Sequence, residues 1–461
     1  MENLSVDTAA TQRSALFVTT VAVFLSPFGI SSLNVALPLI AREFRMDAIL
    51  LSWVTTVYPL TSTIFLVSFG KVADMYGRKK IFTYGIVTFT LGSLGCAISD
   101  SGLMLICFRI LQGVGSAAIY CIGASILTSV FPPGELGRVL GINVAAVYFG
   151  ASTGPFLGGF LTQHLGWRSI FLTNVLLGSI IIVFVLVKLK GEWYEPGEKK
   201  FDILGSILFS LVLFLVMYGF SRLSNILGLC LVLLGMLGIL VFVKWEARTE
   251  SPVLDIGLFR NNRVFVFSNL ATLINYSATF AIGFLLSLYL QYIKRLTPQM
   301  AGLILVSQPI VQAFFSPFAG KLSDRVEPRI VASAGMALTM VGLLLLAFLG
   351  ERTSLGFVIA TLALLGFGFA LFSSPTINAV MSSVEKRFYG VASGTLGTMR
   401  GMGMVFSLAI TLLIFSIYIG EIQITQENYP ALLKCIKLAF TFFAALCFGG
   451  IFASLARGKV R

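Results

Sequence analysis

The sequence predicts an all-α polytopic membrane protein built from two related halves. Three observations lead there. Of 461 residues, 57% are hydrophobic and only 11% charged, with a mean hydropathy of +0.93, whereas a soluble globular chain carries roughly a quarter charged residues. Fourteen apolar runs follow one another along the chain, each long enough to cross a bilayer. A charged turn, Gly70-Lys71-Val72-Ala73-Asp74-Met75-Tyr76-Gly77-Arg78-Lys79-Lys80, returns in weaker form as Gly320-Lys321-Leu322-Ser323-Asp324-Arg325.

A helical span needs about 20 apolar residues to cross about 30 Å of hydrocarbon. Such spans begin near Ala15, Leu50, Ile81, Leu103, Val139, Ser169, Ile203, Ser224, Val264, Ala301, Ile330, Leu355, Val391 and Leu432. The polar start through Arg13 leads into a run longer than a signal-peptide core and without a small-residue cleavage signature, so it reads as an uncleaved first span. The first charged turn begins 55 residues after Ala15 and its echo begins 56 residues after Val264. Spans 9 to 14 therefore repeat the plan of spans 1 to 6, and spans 7 and 8 are an insertion. Polar stretches from Lys188 to Asp202 and from Lys244 to Arg263 flank it, with the composition of linkers at a domain boundary. The expected division is an N-terminal six-helix bundle over 1–190, linkers and two inserted helices over 191–263, and a C-terminal six-helix bundle over 264–461. Parallel six-span halves around a central site are a standard plan of secondary transporters.

The net charge of +13 does not indicate nucleic acid, because the cations fall in short loops rather than in one stripe or tail. Lys71, Arg78, Lys79, Lys80, Arg138, Lys188, Lys244, Arg248, Lys321, Arg325, Lys386 and Arg387 all fall on one side of the span pattern. By the positive-inside rule that side, with both termini, is cytoplasmic, and the expected location is the cell (plasma) membrane. Six cysteines lie within or beside apolar spans with no paired spacing, which supports neither a disulfide framework nor a metal site. With no Walker loop, no zinc pattern and a single histidine, His164, the chain offers no enzyme chemistry, and no cofactor is implied. A monomer is expected, in contact with membrane lipids.

The charged turn has a physical rationale. Two helices leaving the bilayer on one side must reverse within a few residues, so Gly70 and Gly77 allow close approach while Asp74 faces the cations at Lys71 and Arg78. A pair of such turns, the second around Asp324, can latch and release as the bundles rock. The plainer reading of either copy is a solvated positive loop.

These residues and their order resemble the major facilitator superfamily, and within it the fourteen-span drug:proton antiporter family of QacA/EmrB type, over essentially the whole chain. The turn at Gly70 is similar to the signature between spans 2 and 3. Leu33-Asn34-Val35-Ala36-Leu37-Pro38 resembles the end of span 1, Ser52-Trp53 the start of span 2, and Arg109-Ile110-Leu111-Gln112-Gly113 the arginine motif of span 4. Gly166-Trp167-Arg168 and Phe201-Asp202 fit before spans 6 and 7. In span 5, Gly141, Gly150, Gly154, Pro155, Gly158 and Gly159 resemble the antiporter motif, which implies export rather than uptake. The residues explain part of this unaided: Gly150, Gly154 and Gly158 strip one helix face of side chains, and Pro155 removes a backbone donor and can bend the helix. Small-residue packing alone would give the same spacing.

Cations at membrane depth are costly and mark functional sites by default. Arg109 shares a face of span 4 with Gln112, and Arg400 lies in span 13 beside Gly401 and Gly403. Each reads either as a cavity group or as a brace tied to helix carbonyls; the resemblance associates Arg109 with proton coupling. Asn34, Asn275, Tyr276, Gln308, Gln312 and Asn378 are further polar residues at depth, as substrate contacts or as glue between helices. The chain departs from the family at Gly29, where many members carry an aspartate. None of the twenty Asp and Glu falls near the middle of a span. The expected function is secondary active export of small amphipathic compounds by alternating access and proton-coupled antiport, with anionic or neutral substrates favoured over cations. The alternatives are a lipid flippase or a facilitative carrier without proton coupling, and behind them a non-transporting receptor.

Overall fold

The computed structural model describes residues 2–132, 135–193, 202–222, 225–249, 262–323, 325–384, 389–420 and 422–458. Asp324 and much of both expected linkers lie outside the described residues, as do the side chains of Lys71 and Asp74. The described secondary structure is entirely helical: α1 (Glu2–Glu43), α2 (Ala48–Tyr76), α3 (Arg78–Ala97), α4 (Gly102–Val130), α5 (Leu136–Leu165), α6 (Arg168–Lys188), α7 (Ile203–Ser221), α8 (Ile226–Glu246), α9 (Arg263–Ile293), α10 (Pro298–Ser323), α11 (Pro328–Ala347), α12 (Leu355–Ser382), α13 (Tyr389–Tyr418) and α14 (Tyr429–Leu455). The starts fall within a few residues of those expected, except that α1 begins at Glu2 rather than near Ala15. The apolar run starts near Ala15, and the helix extends N-terminal to it through the polar stretch.

Starts are set by side chains that satisfy the free amides of a first turn. Asp47 caps α2 by accepting from Leu50 N at 2.7 Å, Asp202 caps α7 through Gly205 N at 2.8 Å, and Asn262 caps α9 through Phe265 N at 2.9 Å. Ser101, Thr297 and Ser354 do the same for α4, α10 and α12. Among the described residues, thirteen helices are long and apolar enough to cross a membrane. The helix outside that number is α3, which opens on Arg78, Lys79 and Lys80 and gives Gly85, Gly92 and Gly95 to close packing on α4 rather than to apolar bulk.

Helices α1 to α6 pack on one another, led by α1 on α5, α2 on α4 and α3 on both α4 and α6. Helices α9 to α14 do likewise through α9 on α13 and α14, α10 on α12, and α11 on α12 and α14. The two groups meet along α2 with α13 and along α5 with α10, with α1 against α9 between them. The hairpin α7–α8 lies outside, where Phe209, Leu213 and Met217 join Leu60 of α2 and Val405, Ala409 and Leu412 of α13 in one buried cluster. It covers the α2–α13 seam and turns much of α8 outward.

The core is continuous at one end and divided at the other. At the end holding the α1–α2, α5–α6 and α9–α10 turns, a single buried cluster runs from Leu33, Leu37 and Val54 through Leu285, Leu305, Leu362 and Phe415 to Phe443. At the end of the α2–α3 turn the first group keeps its own cluster around Val18, Phe82, Ile122 and Ile181, and the second has separate ones around Phe265 and Met336.

Candidate transport pathway

At the α1–α2 end the groups are bonded across their interface, and the reason starts at Pro38. A proline has no N–H, so the carbonyl four residues earlier, that of Asn34, loses its helical donor. Ser287 Oγ of α9 donates to that carbonyl instead. Gln291 Nε2 donates to Val35 O at 2.8 Å and to Ser287 Oγ at 3.0 Å. Gln291 sits in a π-helical turn, Tyr289–Ile293, a local widening frequent at functional sites. On the far side, a Cβ added at Gly159 would fall 2.6 Å from Pro298 O, and one at Gly302 would strike Pro155 O, so α5 and α10 touch backbone to backbone. Ala48 N donates to Ile422 O at 3.2 Å, and Gln423 Nε2 to Arg45 O at 2.8 Å. Towards the other end the two groups keep separate buried clusters. The interface is sealed at the α1–α2 end and parted at the α2–α3 end.

Arg109 sits just inside the seal and is 1% exposed. Its Nε donates to Val54 O at 3.3 Å, its Nη1 donates to Gln112 Oε1 at 2.5 Å, and its guanidinium lies 4.2 Å from the Tyr58 ring centroid. Gln112 Nε2 donates onward to Ser93 Oγ at 2.8 Å, and Tyr58 OH lies 2.7 Å from both Ser26 Oγ and Ser116 Oγ, donating to one and accepting from the other. The arginine thus ties α2, α3 and α4 together in the geometry of a brace. It also borders a cavity of about 10 Å³ with Asn34, Thr55, Leu33, Phe284 and Leu408, room for about one water.

Arg400 is placed differently. Its Nε is buried without a hydrogen-bond partner, and its guanidinium lies 5.8 Å from the Tyr276 ring centroid. Tyr276, Tyr148 and Tyr120 are the tyrosines within its electrostatic reach. Tyr276 meets Phe369 edge-on at 5.4 Å, and Tyr148 shares a 3.1 Å hydrogen bond with Ser373. Gly401 and Gly403, which follow Arg400 in the same turn, let α13 approach Thr63 of α2 and Leu273 of α9. Tyr120, Tyr148, Phe369 and Ser373 are absent from the sequence reading. A tyrosine inside a span is its only signal, and nothing in the sequence says that three converge.

The other candidates scatter. Asn275 is fully buried, with both amide atoms unpartnered. Gln312 is buried, and Gln308 lends its backbone to packing against Gly366. Asn378 lies at the α2–α3 end, where its Nδ2 donates to Ser323 Oγ at 3.0 Å, away from both arginines. Gly29 faces a buried amide: a Cβ there would lie 3.2 Å from Asn174 Nδ2, and neither polar atom of the Asn174 side chain has a partner. His164 packs against Phe160 near the sealed end, with ring centroids 4.7 Å apart and the planes tilted by 43°.

The charged turn holds its shape by contacts that its own residues do not reveal. Gly77 has φ 111°, which only glycine adopts without strain. Arg78 Nη1 donates to Ser129 Oγ at 2.6 Å, at the C-terminal end of α4, where a cation is favoured. The α3 amides of Lys79 and Lys80 donate to Glu192 Oε1 and Oε2 at 2.7 and 3.2 Å, so a carboxylate beyond α6 caps the turn. Gly70 lies on Cys121 of α4. In α5 the glycine face meets α1: a Cβ at Gly150, Gly154 or Gly158 would fall 2.5 to 2.6 Å from Phe24 O, Ser31 Cβ or Ser32 Cα, and Ser32 Oγ donates to Gly154 O at 2.9 Å. Pro155 instead faces α10.

The profile of the Major Facilitator Superfamily matches residues 19–245 and 269–459. The chain is 30% identical over 440 residues to the riboflavin transporter RibZ of Clostridioides difficile, covering 95% of each chain. It is 31% identical over 410 residues to the multidrug resistance protein Stp of Mycobacterium tuberculosis, covering 87% of this chain and 75% of that one. The fold matches a crystal structure of the POT family transporter PepTSo with a TM-score of 0.71 at 15% identity, over 96% of this chain and 97% of that one. The first of these relatives is named as a transporter and the second for multidrug resistance, and the helices are those of a multi-pass integral membrane protein. This chain is a member of the Major Facilitator Superfamily, a transporter and not an enzyme.

Proposed function

We propose that the protein is a secondary active exporter of small amphipathic compounds, of the fourteen-span drug:proton antiporter type, working by alternating access. The observation that carries this reading is the one-ended seal: a core shared by both groups at the α1–α2 end and separate cores at the other. The proposed bundles are α1–α6 and α9–α14, over 1–190 and 264–461, with α3 as the fourteenth span and α7–α8 inserted between them. The cation-rich α2–α3 end is taken as cytoplasmic in the cell membrane. The chain acts as a monomer among lipids. Export is supported by the α5 glycine face and by relatives named for drug resistance, including a tetracenomycin C resistance and export protein of Streptomyces glaucescens.

The cavity between the bundles favours anionic or neutral substrates. Arg109 and Arg400 face it with no carboxylate at mid-span to balance them, so a lipophilic cation would meet an unscreened like charge. In this reading Arg400, Tyr276, Gln312, Gln308, Asn275 and Asn34 line the route, Arg109 with Gln112 steadies it, and Asn378 belongs with the turns. Gly70, Asp74, Gly77, Arg78 and Asp324 gate the α2–α3 end, while Gly150, Gly154, Pro155, Gly158 and Gly159 gate the opposite one.

A second reading, facilitated movement without protons, is favoured by one observation. Gly29 faces the unpartnered Asn174 amide where the resemblance would place a titrating aspartate. Uptake of matched anionic, neutral and cationic amphipaths into sealed inverted vesicles, with and without an imposed pH gradient, decides between the two. Gradient-dependent accumulation establishes antiport. Gradient-independent movement establishes the carrier or lipid-flipping reading, and preferred transport of the cation removes the charge argument.

A further inference from the structure

We propose that Arg400 with Tyr120, Tyr148 and Tyr276 is a recognition site for planar aromatic acids, whose anionic group meets the guanidinium while the ring lies among the phenols. The proposal rests on the transport reading above and states what is carried. Tyr120 and Tyr148 come from α4 and α5, whereas Tyr276 and Arg400 come from α9 and α13. Each stands roughly ten residues in from its helix end on the parted side, about 15 Å at 1.5 Å per residue, near the middle of a bilayer. A ligand there touches both bundles.

The chemistry follows from what is satisfied and what is not. Arg109 has carbonyl, amide and ring partners, whereas the buried Nε of Arg400 has none. A guanidinium presents paired N–H groups matched to a carboxylate, and such charge-assisted bonds are the strong ones. The rings around it are held in position: Tyr276 by Phe369 and by Gly403 beneath it, Tyr148 by Ser373. Tyr120 is 39% exposed although far from its helix end, and it lies within electrostatic reach of Arg400 and Tyr148. Fixed aromatic faces reward a flat ring, because offset and edge contacts gain beyond simple burial. An aliphatic acid would satisfy the arginine alone, and a neutral arene the rings alone.

The test is equilibrium binding to the full-length protein in lipid nanodiscs, using 2-naphthoate, 2-naphthol, cyclohexanecarboxylate and 2-naphthylmethylammonium. Naphthoate should bind at least tenfold tighter than each of the others. Arg400→Gln should weaken naphthoate by about ten- to a hundredfold while leaving 2-naphthol unchanged. Tyr276→Leu should weaken both naphthalene oxygen compounds and spare cyclohexanecarboxylate. If Arg400→Gln does not fold, Arg400→Lys carries the same arm, with retained but weaker naphthoate binding. Equal affinity for naphthoate and 2-naphthol, or naphthoate binding indifferent to Arg400, overturns the proposal. Proteoliposome transport separates it from the reading beneath: movement of other compounds independent of Arg400 defeats this site alone, whereas tight Arg400-dependent binding with no transport of any probe defeats the transporter reading alone.

Discussion

Removing the hydrogen bonds that seal the α1–α2 end should shift the protein towards the opposite conformation by an amount that the geometry bounds. In the double variant Ser287→Ala, Gln291→Leu, α9 loses its donors to the Asn34 and Val35 carbonyls of α1. Each neutral hydrogen bond contributes about 0.5 to 1.5 kcal/mol net, so the pair is worth about 1 to 3 kcal/mol. The loss falls on the sealed state alone, because once the bundles part there these carbonyls can bond to water. An equilibrium moved by about 1 to 3 kcal/mol changes by about 5- to 150-fold. Spin labels at Leu165 and Met300, exposed residues on either side of the seal, report the separation by pulsed electron resonance. The variant should show a second, longer distance or a marked increase in its weight. Ser316→Ala is the control, since its hydroxyl donates only within α10, to Gln312 O at 2.7 Å, and it should change nothing. A distance distribution identical in the double variant and the parent would refute the claim that these bonds hold the end shut.

Two further substitutions test the packing. Arg109→Ala removes charge-assisted bonds to Val54 and Gln112 and the contact with the Tyr58 ring; at about 1.5 to 3 kcal/mol per charged hydrogen bond, it should lower the thermal midpoint clearly. Arg400→Gln should leave that midpoint near the parent value; equal shifts in the two variants would show that Arg109 is no brace. Gly158→Val places side-chain atoms against the Ser32 backbone, an overpacking cost of about 1 to 3 kcal/mol, and should cut both thermal stability and expression. Gly141→Ala, with nothing within 4 Å of the added carbon, should be neutral in the same assays.

Most of the helical fold was legible because hydrocarbon imposes a simple rule: apolar length exposes the spans. Helix α3 was the hardest to score by hydropathy, since its glycines serve the contact with α4 that Phe108, Gln112 and Ala118 complete. The site was legible only where a residue is anomalous in its own span. Arg109 and Arg400 stand out as cations at depth, yet their roles separate only through partners on other helices, Val54 and Gln112 for one and a set of tyrosines for the other. Pro38 announces a freed carbonyl but not that Ser287, far along the chain, will take it. Glu192 looked like part of a polar linker, and that a carboxylate there caps α3 depends on how the chain returns after α6.

The proposed substrate site and the seal share helix α9, which suggests how one can control the other. Helix α9 carries Tyr276 on one side of an irregularity at Phe280 and Ala281, and Ser287 and Gln291 on the other. There Ser407 Oγ of α13 accepts from Ala281 N at 3.0 Å, so the segment beyond Arg400 repairs the break in its neighbour. A ligand that draws Arg400 and Tyr276 towards Tyr120 and Tyr148 would close the parted end and, through α9 and α13, load the bonds at the sealed one. Such exchange requires the two terms to be commensurate. A seal much stronger than the difference in ligand affinity between the two states would hold the protein in one conformation, since a ligand shifts an equilibrium only by that difference. The described cross-bundle bonds of the seal are neutral hydrogen bonds to backbone carbonyls with no ion pair among them, so a charge-assisted contact at Arg400 is commensurate with this polar part of the seal, which acts beside the core that both groups share there.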